Sequence, residues 1–187
     1  MLKVWRFLSL AAALTLVAVI GSVNGQSAKK DLTGPEMSMG GMKSKASQRW
    51  KAEKAEKPEL YRFSLPKSGS DKEDGLLTVI PDESKKSDDE LIAEFKKLIK
   101  APEGKSVDDV VKVQKVKIGT ASVAYLEAST KVTYVGGDSP GDTKEDYRIY
   151  AAALQTPNGK FIVKAVGPYN TMTFHKIDFK AWLGNLK

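Results

Sequence analysis

Between positions 61 and 65 apolar and polar residues alternate (YRFSL) until Pro66, which predicts a half-buried strand. Positions 75–80 (GLLTVI) are apolar almost throughout and stop at Pro81, the pattern of a more central strand. The period then changes. Ser87 opens a helix, because Glu90 three residues on completes a capping box and the acids at 88–90 favour the positive helix end. Leu91, Ile92, Phe95, Leu98 and Ile99 share one face of that helix, and Pro102 with Gly104 closes it. A Val-rich strand over 110–118 follows. Its alternation slips at Gln114-Lys115, which predicts a bulge or bend. Gly119-Thr120 turns the chain into a returning strand over 121–134, and a polar loop spans 136–146. Strands over 147–154 and 161–166 are joined by TPNG at 156–159, where Asn-Gly takes positive φ cheaply. After Gly167-Pro168, Asn170 or Thr171 caps a last helix, on which Met172, His175, Phe179, Trp182, Leu183 and Leu186 recur at helical spacing.

The order strand, strand, helix, four strands in hairpins, helix predicts one α+β domain over 58–187. It is a mostly antiparallel β-sheet flanked by amphipathic helices. The chain before it reads differently. Residues 1–25 form a secretory signal: Lys3 and Arg6 precede an apolar run over 7–20, and Val23 and Gly25 suit a cut before Gln26. Residues 26–57 carry no sustained apolar period and are rich in Met, Lys and Ser, which predicts a flexible basic tail. Trp50 is its one large apolar residue and is expected to dock back on the domain. Positions 48–57 suit a short charged helix that Pro58 stops.

Five segments carry a resemblance: YRFSLP (61–66), GLLTVI (75–80), SDDELIAEFKKL (87–98), YRIYAAALQTPNGKFIVKAVGP (147–168) and TMTFHKIDFKAWLGNL (171–186). Together they resemble small exported bacterial proteins, best known from planctomycetes, with a fold similar to PsbP of the photosynthetic oxygen-evolving complex. The resemblance implies a PsbP-like α/β/α sandwich used as a binding or assembly module. No metal or photosystem contact of PsbP has a matching residue here.

Composition narrows the chemistry. The 187 residues contain no Cys and one His, which excludes disulfides, thiolate sites, a cysteine nucleophile, a lipid-anchored N-terminal Cys and any site needing two imidazoles. The net charge is +7, and loss of Lys3 and Arg6 with the signal lowers it to +5. An exported chain of that charge meets anionic envelope components or an envelope protein rather than nucleic acid, and after cleavage it is not integral to a membrane. Met37, Met39 and Met42 put three thioethers within six residues, a candidate Cu(I) site of soft ligands. Asp138, Asp142, Glu145 and Asp146 crowd one loop without the EF-hand spacing for Ca²⁺. His175 lies on an apolar helix face, where a structural role is expected; a triad drawn from Ser139 has no nucleophile elbow behind it. There is no P-loop, dinucleotide fingerprint or HExxH. The sequence therefore predicts a non-catalytic, cofactor-free exported binding domain, periplasmic or secreted. Copper handling is the alternative, with a carboxylate-pair hydrolase after it.

Overall fold

The computed structural model describes residues 32–136 and 141–187. The secretory signal, its cut before Gln26, and the candidate residues Asp138 and Ser139 lie outside them. The chain runs β1 (Glu36–Met39), β2 (Met42–Lys45), β3 (Lys51–Glu53), β4 (Tyr61–Leu65), β5 (Gly75–Pro81), α1 (Asp88–Lys97), β6 (Ile99–Lys100), α2 (Val107–Val110), β7 (Val111–Ile118), β8 (Ala121–Ala128), β9 (Val132–Val135), β10 (Thr143–Thr156), β11 (Gly159–Pro168) and α3 (Tyr169–Gly184). Nine strands form one antiparallel sheet in the order β3-β4-β5-β11-β10-β8-β7, with β9 beside β10 and β6 beside β9. The fold is α+β, as the sequence predicts.

β10 is buried at every position from Tyr147 to Leu154, and the two-residue strand period sends those side chains to opposite faces. Tyr150, Ala152 and Leu154 meet Val163 and Ala165 of β11, Leu77 and Val79 of β5, and Phe179 and Trp182 of α3. Ile149, Ala151 and Ala153 meet Leu126 of β8 and Leu91, Ile92 and Phe95 of α1. Each face thus has its own apolar core, and each core has its own helix.

α1 is capped as predicted: the Ser87 hydroxyl accepts from the Glu90 amide, and the Glu90 carboxylate accepts from the Ser87 amide at 2.7 Å. The helix ends at Lys97 rather than at Pro102, because Ile99 and Lys100 leave it to pair with Tyr134 and Thr133 of β9. α3 is capped from outside its own segment. No side chain of the N-cap Pro168 serves it; instead the Asp71 carboxylate accepts from the Thr171 amide at 2.6 Å and from Thr171 Oγ1 at 2.8 Å.

Three expectations are corrected. The segment from residue 32 to 57 is not a flexible tail over its described length. Gly40 and Gly41, both at positive φ, close a two-residue turn in which Met39 faces Met42, so β1 and β2 form a hairpin. Every second residue of that hairpin points inward, and Met37, Met39 and Met42 are fully buried among core residues that include Trp50. The turn itself sits hard on the domain: a Cβ on Gly40 would lie 2.0 Å from Thr156 Oγ1. Within 48–57, where a charged helix is expected, Lys51–Glu53 form β3, which extends the sheet beside β4; tertiary pairing overrides the helical propensity of Lys-Ala-Glu. The bulge expected at Gln114-Lys115 is absent, since β7 pairs with β8 in one unbroken register from Val111–Ala128 to Ile118–Ala121. The slip has another cause. β7 is exposed from Lys112 to Lys117, so neither face enforces an alternation.

Two smaller differences concern turns. The returning strand breaks at 129–131 into β8 and β9, and in the 156–159 hairpin the positive φ falls on Gly159 (145°) and not on Asn158.

Candidate binding surface at the sheet edge

The chemically suggestive residues of the sequence are distributed through the cores. A candidate Cu(I) site of the Met37, Met39 and Met42 thioethers supposes a flexible segment that can wrap the ion, and that premise does not hold. All three side chains pack in the first core, with Met42 Sδ 3.9 Å from the Thr120 hydroxyl. Trp50 is buried, as expected, with ring centroids 5.9 Å from Phe63 and 6.2 Å from Trp182. Of the acidic loop, Glu145 and Asp146 belong to β10, and Asp146 pairs with Lys131 at 3.0 Å. Among the described residues no group of three or more His, Asp or Glu side chains is placed to hold a metal ion.

His175 is buried on the inner face of α3. Its Nε2–H donates to the Pro66 carbonyl at 3.0 Å, which leaves Nδ1 as a buried acceptor with no partner among the described residues. Burial holds its pKa below the ordinary 6.5, against the Pro66 carbonyl and Asp178, which favour the charged ring; Arg49 acts with burial. The neutral ring is therefore the one the fold accommodates. Stability is expected to be complete above pH 6.5 and to fall as pH drops below it, because the unfolded chain gains the proton first. Urea denaturation on either side of that pH checks this, and the fall should shrink in His175→Gln.

Asp178, one turn from His175, anchors the N-terminal segment. It accepts from the Ser47 hydroxyl at 2.7 Å and faces the Arg49 guanidinium at 3.6 Å. The Ser44 hydroxyl donates to the Trp182 carbonyl at 2.8 Å, and Lys43 and Lys187 exchange main-chain hydrogen bonds of 2.8 and 3.1 Å. These contacts bind β2 and the following turn to α3. The hollow beside them, about 650 Å³, is lined by residues that include Leu32, Glu36, Lys43 and Leu186.

β7 is where the fold leaves surface open. It ends the sheet, so alternate residues turn main-chain N–H and C=O groups outward with no strand to meet them among the described residues. Its side chains follow the β8 register. Val113, Lys115 and Lys117 lie on the α1 face, opposite Leu126, Ala124 and Ser122. Lys112, Gln114 and Val116 lie on the α3 face, opposite Glu127, Tyr125 and Val123. Val113 and Val116 are 40% and 44% exposed, one on each face. Lys115 pairs with Asp89 of α1 at 2.7 Å; Lys112 and Lys117 have no ion pair among the described residues.

The cationic character continues onto α3. Glu127, buried on β8, receives Arg148 at 2.9 Å, Lys180 at 2.9 Å and Lys176. Burial raises its pKa, but the hydrogen bonds from Lys176 and Lys180 outweigh burial and bring it down to about 2. Arg148 also donates to the Ala128 carbonyl at 3.0 Å and to Thr173 Oγ1 at 2.9 Å, with its guanidinium over the Tyr150 and Tyr169 rings. Burial and the Glu127 charge together push the Tyr125 phenol up, under the Lys180 ammonium. One carboxylate thus neutralises part of a field that includes Lys112, Arg148, Lys176 and Lys180. Farther along α3, Phe174 and Ile177 are exposed on its outer side, with the Arg49 guanidinium 5.0 Å over the Phe174 ring.

Sequence reasoning missed this edge because it read the exposed slip in β7 as a bulge. The usable signal was VKVQKVKI itself, eight residues of strand-forming pattern with three lysines and no acid.

No protein-family model and no curated protein matches the chain. Among solved structures it is similar to PA94 of Pseudomonas aeruginosa, a protein of unknown function, with a TM-score of 0.45 and 11% identity over 74% of this chain and 96% of that one. It is also similar to a protein from Bacteroides thetaiotaomicron, with a TM-score of 0.44 and 16% identity over 83% of this chain and 48% of that one. Likenesses this partial carry no argument about what the chain does. Among the described residues no helix is long and apolar enough to cross a membrane.

Proposed function

We propose that the protein is an exported, non-catalytic binding domain that docks a partner in the cell envelope through the open edge of its sheet at β7. The observation that carries this reading is the edge itself. Six consecutive residues of a regular strand, Lys112 to Lys117, are exposed, with valines on both faces and main-chain groups along the rim that meet no strand among the described residues. An edge of this length left uncovered is a template for another chain. The titratable groups that would suggest chemistry support the same reading, since they are engaged in holding the fold: His175 on Pro66, Asp178 on Ser47 and Arg49, Glu127 on three cations. The N-terminal charge pattern and apolar run of residues 1–25 support export.

A photo-crosslinking amino acid placed at Val113 or Val116 in cells that export the protein tests the proposal. Crosslinks to an envelope component are expected from both positions and not from Gly104, a turn residue with open space around it. Equal capture from all three positions, or none from β7, removes the proposal.

A further inference from the structure

From the charge along β7 we infer that the occupant of this edge is an extended acidic peptide segment that adds to the sheet as a further strand. The inference rests on the proposal that β7 is the docking edge, and names the partner's chemistry.

Main-chain pairing alone is indifferent to sequence; side chains beside the edge supply the selectivity. An incoming strand lays alternate side chains against the two rows of β7. On the α1 side it meets Val113, Lys115 and Lys117, and on the α3 side Lys112, Gln114 and Val116. No carboxylate lies within Val111–Ile118, and Lys112 and Lys117 have no ion pair among the described residues, so acids on the incoming strand complete pairs the domain does not make for itself. Val113 and Val116 add an apolar contact on each face.

Lysines on an edge also discourage self-pairing. In an antiparallel pairing of two copies centred on Lys115, that ammonium would face its own copy, and like charges directly opposite are destabilising. The same three lysines that disfavour a second β7 favour an acidic strand. The unbroken β7–β8 register keeps the rim straight enough to receive one, since no bulge turns the edge aside. The other end of the sheet, β3, is only three residues long and carries both Lys51 and Glu53.

The test uses the full chain, expressed with its own leader and purified as processed, and a short end-capped peptide of alternating Glu and Val. The expected result is slowed amide exchange confined to β7, binding that weakens as salt rises, and a loss of about a hundredfold in affinity in Lys112→Glu/Lys115→Glu/Lys117→Glu. The Lys→Gln triple should fall between, and unchanged melting of both triples guards against loss of fold. Equal binding of a Lys-Val peptide, or slowed exchange elsewhere than β7, overturns the inference. So does binding to phosphatidylglycerol vesicles with no protection by the peptide, which would make the partner a lipid surface. Failure of the peptide while Val113 and Val116 still crosslink overturns the acidic strand and leaves the docking edge standing. Failure of both overturns both, and the lysines then serve only to guard the edge.

Discussion

A chain that begins at Pro58 is expected to lose most of its stability, although the deleted segment has the composition of a linker. The deletion takes Met37, Met39, Met42 and Trp50 out of the first core and uncovers Phe63, Trp182 and the faces of β10 and β11 beneath them. It also leaves Asp178 buried without Ser47 and Arg49. Single substitutions calibrate the effect. Trp50→Ala should cost about 3–5 kcal/mol, and Met→Ala at 37, 39 or 42 about 2–5 kcal/mol, by lost transfer energy and the cavity left behind. A domain of this size has only about 5–15 kcal/mol in total. The truncated chain should therefore show lost near-ultraviolet dichroism and no cooperative melt, while Trp50→Ala should melt cooperatively about 10 °C lower. A truncated chain that melts at the full-length temperature would show that the hairpin is not part of the core.

The second large effect is expected at Glu127. Glu127→Ala leaves Arg148 buried beside two ammonium groups with no counter-charge, and breaking a buried pair in this way costs about 3–5 kcal/mol. The same carboxylate makes stability depend on acid. Its pKa is lowered to about 2 from 4.5, so the unfolded chain takes up the proton first. The contribution of Glu127 is complete above pH 4.5 and is lost as pH falls from there through about 2. Urea midpoints measured across that window should decline in the native protein. Glu127→Gln should start lower at neutral pH and decline less steeply. Some slope should remain, because hydrogen bonds to Asp71 and Asp74 also bring their carboxyls below the usual range, with burial opposing. An unchanged slope in Glu127→Gln would show that the cluster does not couple to folding.

These two expectations differ in how far the sequence reveals them. α1 is legible because its determinants are local: the Ser87–Glu90 box and the Leu91, Ile92 and Phe95 face lie within nine residues. The inner face of α3 is legible for the same reason, and Met172, His175, Phe179, Trp182 and Leu183 are all buried, as is Leu186 just past the helix end. The β1–β2 hairpin was legible in principle, since Gly-Gly flanked by alternating Met and polar residues is a hairpin signal. It was hidden by methionine and serine, which read as linker composition. Glu127 was not legible at all. Its partners Arg148, Lys176 and Lys180 lie 21 or more residues away, and nothing in the sequence around Glu127 marks it as buried. Nor was the cap on α3, which Asp71 supplies from 100 residues upstream.

By itself, the sequence determined the fold class, the turns at Gly119-Thr120 and 156–159, the cap of α1 and the apolar faces of both long helices. Each of these follows from side-chain period or from a hydrogen bond between near neighbours in the chain. Only the tertiary structure decided which strand would lack a neighbour, where the segment before Pro58 would pack, and which charges would face one another. Strand order is set by how two cores close on opposite faces of one sheet. That closure leaves β7 at the rim, seals the hairpin under α3, and gathers three cations onto Glu127. A lysine in VKVQKVKI looks the same whether its strand is central or last. Its place on an open rim comes from the absence of a tenth strand beside it among the described residues.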